Sequence, residues 1–574
     1  MNKDKPAIRP ILLAAIFVFL AIGFCHGQET DTLEFSLDVN SPTVVLPQIF
    51  KPNIDLSGKG FHREASWPQT LAAKEVLDTF TADLGLNNFY RLQYNLWEIQ
   101  QLSKDKPAQE KLLNNYEEII KKISDNGGTV ILNLSGTPYG LGRVLDKNSA
   151  PHNLKEYKEL IKKNIRYFSC EKKYNVWYEV WNAPDIGDFF IGERSEYLNL
   201  YRVAAEAVNE LRQETKMQIP LGGPSVSAWF KNAYANNILF PERSLIYELI
   251  KYCYSYRLPL DFISWHAYSS DPKEEDQQTI YNKQPVQLIR DWLSYFHFDD
   301  KTPLIIDEWN FDGSANVSAA RGKDSNVSAS YIPARLKFMY ESGIDNQTYF
   351  CLEDFGGSKN IIARNLGIAS AAHTKASYNI FRMLGALGKD LYINKFTSEF
   401  IGVIPTKSQD YLAVLIYNYI DPRIALNFIS RNIASLNSAE RKSILNIIKS
   451  DRIKKILALQ LEIASLKVSP KVKELLKNAV ELNNLANKNL TLNRSLNISI
   501  KGLKEIYVLS KYVVDNNCTR NCPFKPVSES DVDFNSGYAE KIDLAPYSVQ
   551  LLVFKKKPQM ETETATLSQN AEIK

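Results

Sequence analysis

Histidine and cysteine are scarce in this chain of 574 residues, with six of each, and methionine is scarcer still at five. The histidines (His26, His62, His152, His266, His297, His373) never fall at paired ligand spacings, which argues against a zinc site, and no other motif asks for a metal or a cofactor. So few cysteines do not make a disulfide framework. Cys253 and Cys351, set in apolar and aromatic runs, are expected to be buried thiols, while Cys518 and Cys522 flank a polar Thr-Arg-Asn and are candidates to close a small loop. Excess charge is lacking too: a formal net charge of +4 is far below what neutralising a phosphate backbone takes, so nucleic acid is not an expected partner. Long hydrophobic runs are confined to Ile11–Phe24, which follows Lys3, Lys5 and Arg9 and ends in Cys25-His26-Gly27. That run is shorter than the ~20 residues of a membrane-spanning helix, so residues 1–27 read as a secretory signal peptide and the mature chain is expected outside the cytoplasm. Lipid attachment at Cys25 is the minor alternative, because bulky Phe24 stands where that processing wants a small residue.

What remains is 44% hydrophobic and 23% charged over the whole chain, a globular profile too long for one core. From 45 to 395, short apolar runs alternate with amphipathic segments: Phe89–Gln93, Thr129–Leu134, Val176–Trp181, Ile219–Gly222, Phe262–His266, Leu304–Glu308 and Thr348–Leu352. With one earlier strand near Thr43–Phe50 these make eight, which predicts a (β/α)8 barrel. An open doubly wound sheet would want a Gly-x-Gly-x-x-Gly after an early strand, and none is present. From 396 to 555 the pattern becomes period-two, as in Tyr411–Tyr417 and Tyr547–Phe554, which predicts antiparallel strands of a β-sandwich, joined by an N-terminal strand within 28–44. Residues 423–488 interrupt it with helical spacing (Ile444, Leu445, Ile447, Ile448; Leu475, Leu476, Ala479, Val480) and helix starts at Asn437-Ser-Ala-Glu440 and Ser469-Pro470. This helical insertion reads mainly as packing faces, with a partner-binding surface as the alternative. Residues 556–574 are polar and expected to be disordered.

In such a barrel the chemistry lies where strands end. Two ends are rich: Tyr178-Glu-Val-Trp-Asn-Ala-Pro-Asp185 and Pro303-Leu-Ile-Ile-Asp-Glu-Trp-Asn310. Glu308 stands where an apolar strand opens into the mouth and is the candidate nucleophile for an acetal carbon. Ser264, His266 and Tyr268 alternate onto one face, and Arg91 supplies a cation able to hold Glu308 ionised.

These pieces, with Leu221-Gly-Gly-Pro224, Ile263-Ser-Trp-His-Ala-Tyr268, Tyr349-Phe-Cys-Leu-Glu-Asp354 and Leu544-Ala-Pro-Tyr-Ser-Val549, resemble the clan A glycoside hydrolases, and most of all family 39, the β-xylosidase and α-L-iduronidase family. The resemblance runs in order across most of the chain and implies a barrel followed by a β-sandwich; the 423–488 insertion has no counterpart in it. It implies a carbohydrate partner, with Glu308 as nucleophile and Asn182 bonding the sugar 2-hydroxyl. It also sets His266 and Tyr268 beside the nucleophile, Arg91 beneath it and Phe350 where an aromatic platform is usually Trp.

Ala183 stands where the resemblance implies the acid/base glutamate. A retaining glycosidase needs two carboxyl groups about 5–5.5 Å apart, one to attack and one to protonate the leaving oxygen. Alanine does neither, so hydrolysis is expected to be impaired or altered. Asp185 and, less so, Glu179 are candidate substitute acids. The alternative is a carbohydrate-binding pseudoenzyme that keeps a sugar pocket with Trp181, Trp265 and Trp309.

Overall fold

The computed structural model describes residues 33–58, 72–227, 229, 239–311, 324–355, 366–370 and 373–557. The expected signal peptide, Cys25 and residues 558–574 of the expected tail lie outside the described residues.

Eight parallel strands close into a barrel: β1 Ile54–Asp55, β2 Phe89–Asn95, β3 Thr129–Ser135, β4 Val176–Val180, β5 Leu221–Val226, β6 Phe262–Tyr268, β7 Leu304–Asn310 and β8 Asn346–Tyr349. Helices packed between them start where the sequence offers an acceptor for the free N–H groups of a first turn: the side chains of Asn95, Asp105, Asn153 and Ser244 each accept from a backbone amide three residues on. The expected (β/α)8 barrel is present, with one correction. Thr43–Val45 is not the first barrel strand; it pairs antiparallel with Asp390–Tyr392 in the sandwich. The true first strand is only two residues long, and its Asp55 is buried against Arg91, so no apolar run marks it. The barrel therefore runs from Ile54 to the end of helix Ala376–Gly385, inside the expected 45–395.

Period-two alternation sorts the strand side chains. Phe89, Trp177, Ile131, Phe262 and Ile305 share one cluster that plugs the barrel interior, while the alternate positions Trp265, Ile306 and Trp309 join the larger core between barrel and helices. Two β-bulges break the alternation. Register passes from Pro224 to Val226 against Ser264 and Trp265, and from Ile306 to Glu308 against Trp265 and His266, so Ser225 and Asp307 are the extra residues.

The sandwich is built from both ends of the described chain. Leu33–Asp38 pairs with Arg494–Lys501, which pairs with Tyr538–Leu544; the first of these pairings is parallel rather than antiparallel as expected. The second sheet has seven strands, with Tyr411–Asn418 at its centre. Leu412, Val414 and Ile416 of that strand face the small sheet, and Ala413, Leu415 and Tyr417 join the barrel core, so it is buried on both faces. The insertion folds as helices Ile424–Asn432, Ser438–Lys449, Arg452–Leu457 and Pro470–Asn489 around its own apolar core. Cys518 and Cys522 form a disulfide, and the Cys522 carbonyl accepts from Asn379 of the last barrel helix at 2.9 Å. Cys253 and Cys351 are buried free thiols. Among the described residues, no helix is long and apolar enough to cross a membrane.

Candidate active site

Above the apolar plug the interior turns polar. Arg91, two residues beyond Phe89 on the inward face of β2, is wholly buried and needs a partner for every N–H. It finds five. Nε donates to Glu179 Oε2 (2.8 Å), Nη1 to Asp55 Oδ2 (3.0 Å) and Glu308 Oε2 (3.1 Å), and Nη2 to Asn182 Oδ1 (2.6 Å) and Ser225 Oγ (3.1 Å). Asp307 Oδ2 lies 3.5 Å from Nε, so four carboxyl groups from β1, β4 and β7 surround one guanidinium.

Two local devices place these groups. After β4 the chain turns through left-handed conformations at Trp181 (φ 67°) and Ala183 (φ 47°), which sets Asn182 over Arg91. On β7 the bulge sends two successive carboxylates, Asp307 and Glu308, to the interior, where strict alternation would admit one. The Tyr268 hydroxyl donates to Glu308 Oε1 at 2.5 Å, and His266 Nε2 lies 3.3 Å from Oε2. Ser225 Oγ is 3.0 Å from the same imidazole nitrogen and donates to Asp307 Oδ2 at 2.5 Å.

One cation cannot hold four buried anions, and protons make up the difference. Burial, reinforced by the charge on Glu179, pushes Asp307 well above the usual carboxylate range, which favours its protonated form as a hydrogen-bond partner of Glu179. Burial also disfavours the charged form of Glu179, but Arg91 together with hydrogen bonds from Asp307, Ser264 and Asn133 outweighs it and leaves Glu179 below its ordinary value. Glu308 is pushed up to about 7: burial dominates, Arg91 and the Tyr268 hydrogen bond pull the other way, and the charges of Asp55 and Glu179 add to the rise. Tyr268 is driven upward by burial and by Glu308 and remains a neutral donor.

Of the residues singled out in the sequence, the structure brings Arg91, Asn182, His266, Tyr268 and Glu308 into one cluster. Phe350, just past β8, is buried with its ring edge-on to Tyr268 at 6.3 Å. Trp309 does not join them. It points outward, donates to Gln347 Oε1 and packs on Tyr331 and Tyr349, and Trp265 shares that outward parity. Trp181 is also held in packing, its indole N–H on the Phe189 carbonyl, although it borders a recess beside Asn182. Ala183 is buried, its N–H on the Ser225 carbonyl at 2.9 Å, and its methyl group has no ionisable proton to give or take. Glu179 is sealed beneath Arg91 and Asn133. Asp185 faces solvent, with its oxygens accepting from the Ser227 N–H (2.8 Å) and hydroxyl (2.9 Å); surrounding protein pushes its pKa upward against these bonds.

Sequence reasoning missed Asp55, Asp307 and Ser225. Asp307 stands next to Glu308 and Ser225 follows Gly-Gly-Pro, yet only the bulges turn both inward.

A closed parallel barrel with a carboxylate cluster at the C-terminal ends of β1, β4 and β7 defines the clan A glycoside hydrolase class of fold. Residues 146–421, just under half of the chain, match the model of glycosyl hydrolases family 39. A beta-xylosidase of Caldicellulosiruptor saccharolyticus is 31% identical over 128 residues, 21% of this chain and 22% of that protein. A beta-xylosidase of Geobacillus stearothermophilus is 25% identical over 268 residues, 42% of this chain and 48% of that protein. The match thus spans about half or less of these relatives' length. The crystal structure of a monomeric beta-xylosidase from Caulobacter crescentus shares the fold with a TM-score of 0.62 at 15% identity, covering 92% of this chain and all (100%) of that one.

Proposed function

We propose that this protein is an exported glycoside-processing barrel of the β-xyloside class, in which Glu308 attacks the anomeric carbon and Ala183 leaves the acid/base position vacant. The observation that carries the reading is the cluster itself: Glu308 is gripped by Arg91 and Tyr268 with His266 alongside, and Asn182 is fixed over Arg91. The relatives named beta-xylosidase support the sugar class, and the apolar run at 11–24 supports export.

In the first step a lone pair of ionised Glu308 forms a bond to C1 while the C1–O bond to the leaving group breaks, its electrons leaving on that oxygen. A family enzyme protonates that oxygen with a second carboxyl group; here none stands at 183, so leaving groups stable as anions react and ordinary sugar alkoxides do so slowly. Hydrolysis of the glycosyl ester then lacks a base to take a proton from water, and the ester accumulates.

Intact-protein mass spectrometry after incubation with 2,4-dinitrophenyl β-D-xyloside tests this. The expected result is the added mass of one xylosyl group, absent in Glu308→Gln. If no adduct forms while the protein still binds xylosides, the nucleophilic role fails and a carbohydrate-binding pseudoenzyme takes its place. Equal turnover by wild type and Glu308→Gln sinks both.

A further inference from the structure

Next to Asn182 the barrel mouth holds a recess lined by Gln93, Ser135, Asn148, Trp181 and Phe189, with room for about one water-sized group (about 10 Å³). Gln93 and Ser135 follow Arg91 and Asn133 at two-residue spacing on β2 and β3. Both are buried, at 3% and 4% exposure. Yet neither the oxygen nor the nitrogen of the Gln93 amide, nor the Ser135 hydroxyl, has a hydrogen-bond partner among the described residues. An unpaired buried amide is costly and native interiors hold few, so three such atoms on one recess beside a candidate active site call for a ligand that pairs them.

The lining is uncharged. The nearby cation has nothing to offer, because the five N–H groups of Arg91 are already spent on Glu179, Asp55, Glu308, Asn182 and Ser225. A carboxylate entering here would be desolvated without a counter-ion, beside a cluster richer in acids than in bases. A hydroxyl, donor and acceptor at once, matches both ends of the Gln93 amide and the Ser135 hydroxyl. We infer that the Gln93–Ser135 recess is a subsite for a neutral hydroxyl of the bound sugar and makes this barrel selective for neutral glycosides over glycuronides. The inference rests on the glycoside reading above and narrows it.

The test is NMR-detected titration of the full-length protein with methyl β-D-xyloside and methyl β-D-glucuronide, for wild type and Gln93→Leu, alongside thermal melts. The expected result is xyloside binding at least tenfold tighter than glucuronide binding. The Gln93→Leu variant should bind xyloside about 3–10-fold more weakly. Its melting temperature should not fall, since the substitution deletes buried atoms that had no partner; a purely structural role for Gln93 would lower it. Should Gln93→Leu fail to fold, Ser135→Ala is read in the same way. Unchanged xyloside affinity in the variant, or glucuronide bound as tightly as xyloside, overturns the subsite and leaves the glycoside reading standing. If neither sugar binds, the subsite is overturned whatever adduct the mass measurement shows.

Discussion

Two positions decide the chemistry, and each permits a direct prediction. At 183 a side chain is missing: Ala183→Glu should raise hydrolysis of xylosides with poor leaving groups by roughly 10²–10⁴-fold, as restored general acid–base catalysis requires, measured with methyl and 4-nitrophenyl β-xylosides. At 308 a proton is retained. Because Glu308 is pushed up to about 7 by burial, the attacking form appears only as pH rises through that value, so adduct formation from the dinitrophenyl xyloside should climb between pH 5 and 8 with a midpoint near 7. The same shift bears on stability. A carboxyl whose folded pKa is raised binds its proton more tightly in the native state, so its stabilising contribution is whole below about pH 4.5 and is lost as pH rises through about 7. Glu308→Gln, which mimics the protonated form, should therefore melt higher than wild type at pH 8, by up to about 3 kcal/mol, with the gap closing below pH 5. The residues legible in the sequence were Asn182, His266, Tyr268 and Glu308, announced by strand ends, and Arg91, a lone cation within an early strand. Asp307 and Ser225 were not legible, because a bulge shifts the two-residue period and leaves no mark in an apolar run. Trp265 and Trp309 looked like sugar-stacking rings for want of the same knowledge, as aromatic character alone does not reveal which face a strand residue takes.

At the scale of elements, local signals were reliable wherever a backbone group needed a side chain. Asn437 caps helix Ser438–Lys449 in a reciprocal box with Glu440, and Ser469 caps helix Pro470–Asn489, both as the sequence indicated. Asn437→Ala should cost about 1 kcal/mol, seen as faster amide exchange in the first turn of that helix with the barrel amides unchanged. The insertion is more than an appendage. Ser270 and Asp271 follow β6 directly after Tyr268 and Ser269; Ser270 donates to Asp421 Oδ1 at 2.9 Å and accepts from Arg423, and Arg431 lies 3.4 Å from Asp271. The loop leaving the tyrosine that binds Glu308 is thus pinned by the base of the helical insertion. No sequence period reports such a contact, since it joins residues some 150 apart through hydrogen bonds and an ion pair rather than apolar spacing.

For the whole molecule, alternation of strands and helices made the barrel legible, and period-two runs made the sandwich legible. Their seam was not, because Tyr411–Asn418 is apolar on both faces and its sequence does not say which half meets the barrel. The structure has Ala413, Leu415 and Tyr417 closing over the barrel side, with the ring of Tyr331 of helix Asn326–Glu341 tilted against that of Tyr419 at 5.5 Å. A chain cut after Gly385 should therefore be insoluble, or bind a hydrophobic dye where the full chain does not, because that covered surface faces water. The parallel pairing of Leu33–Asp38 with Arg494–Lys501 carries a further consequence, for the order of events during synthesis. Its two halves leave the ribosome more than 450 residues apart, so the early strand waits, unpaired, while the entire barrel is made, and its sheet can close only after Arg494–Lys501 and Tyr538–Leu544 have emerged.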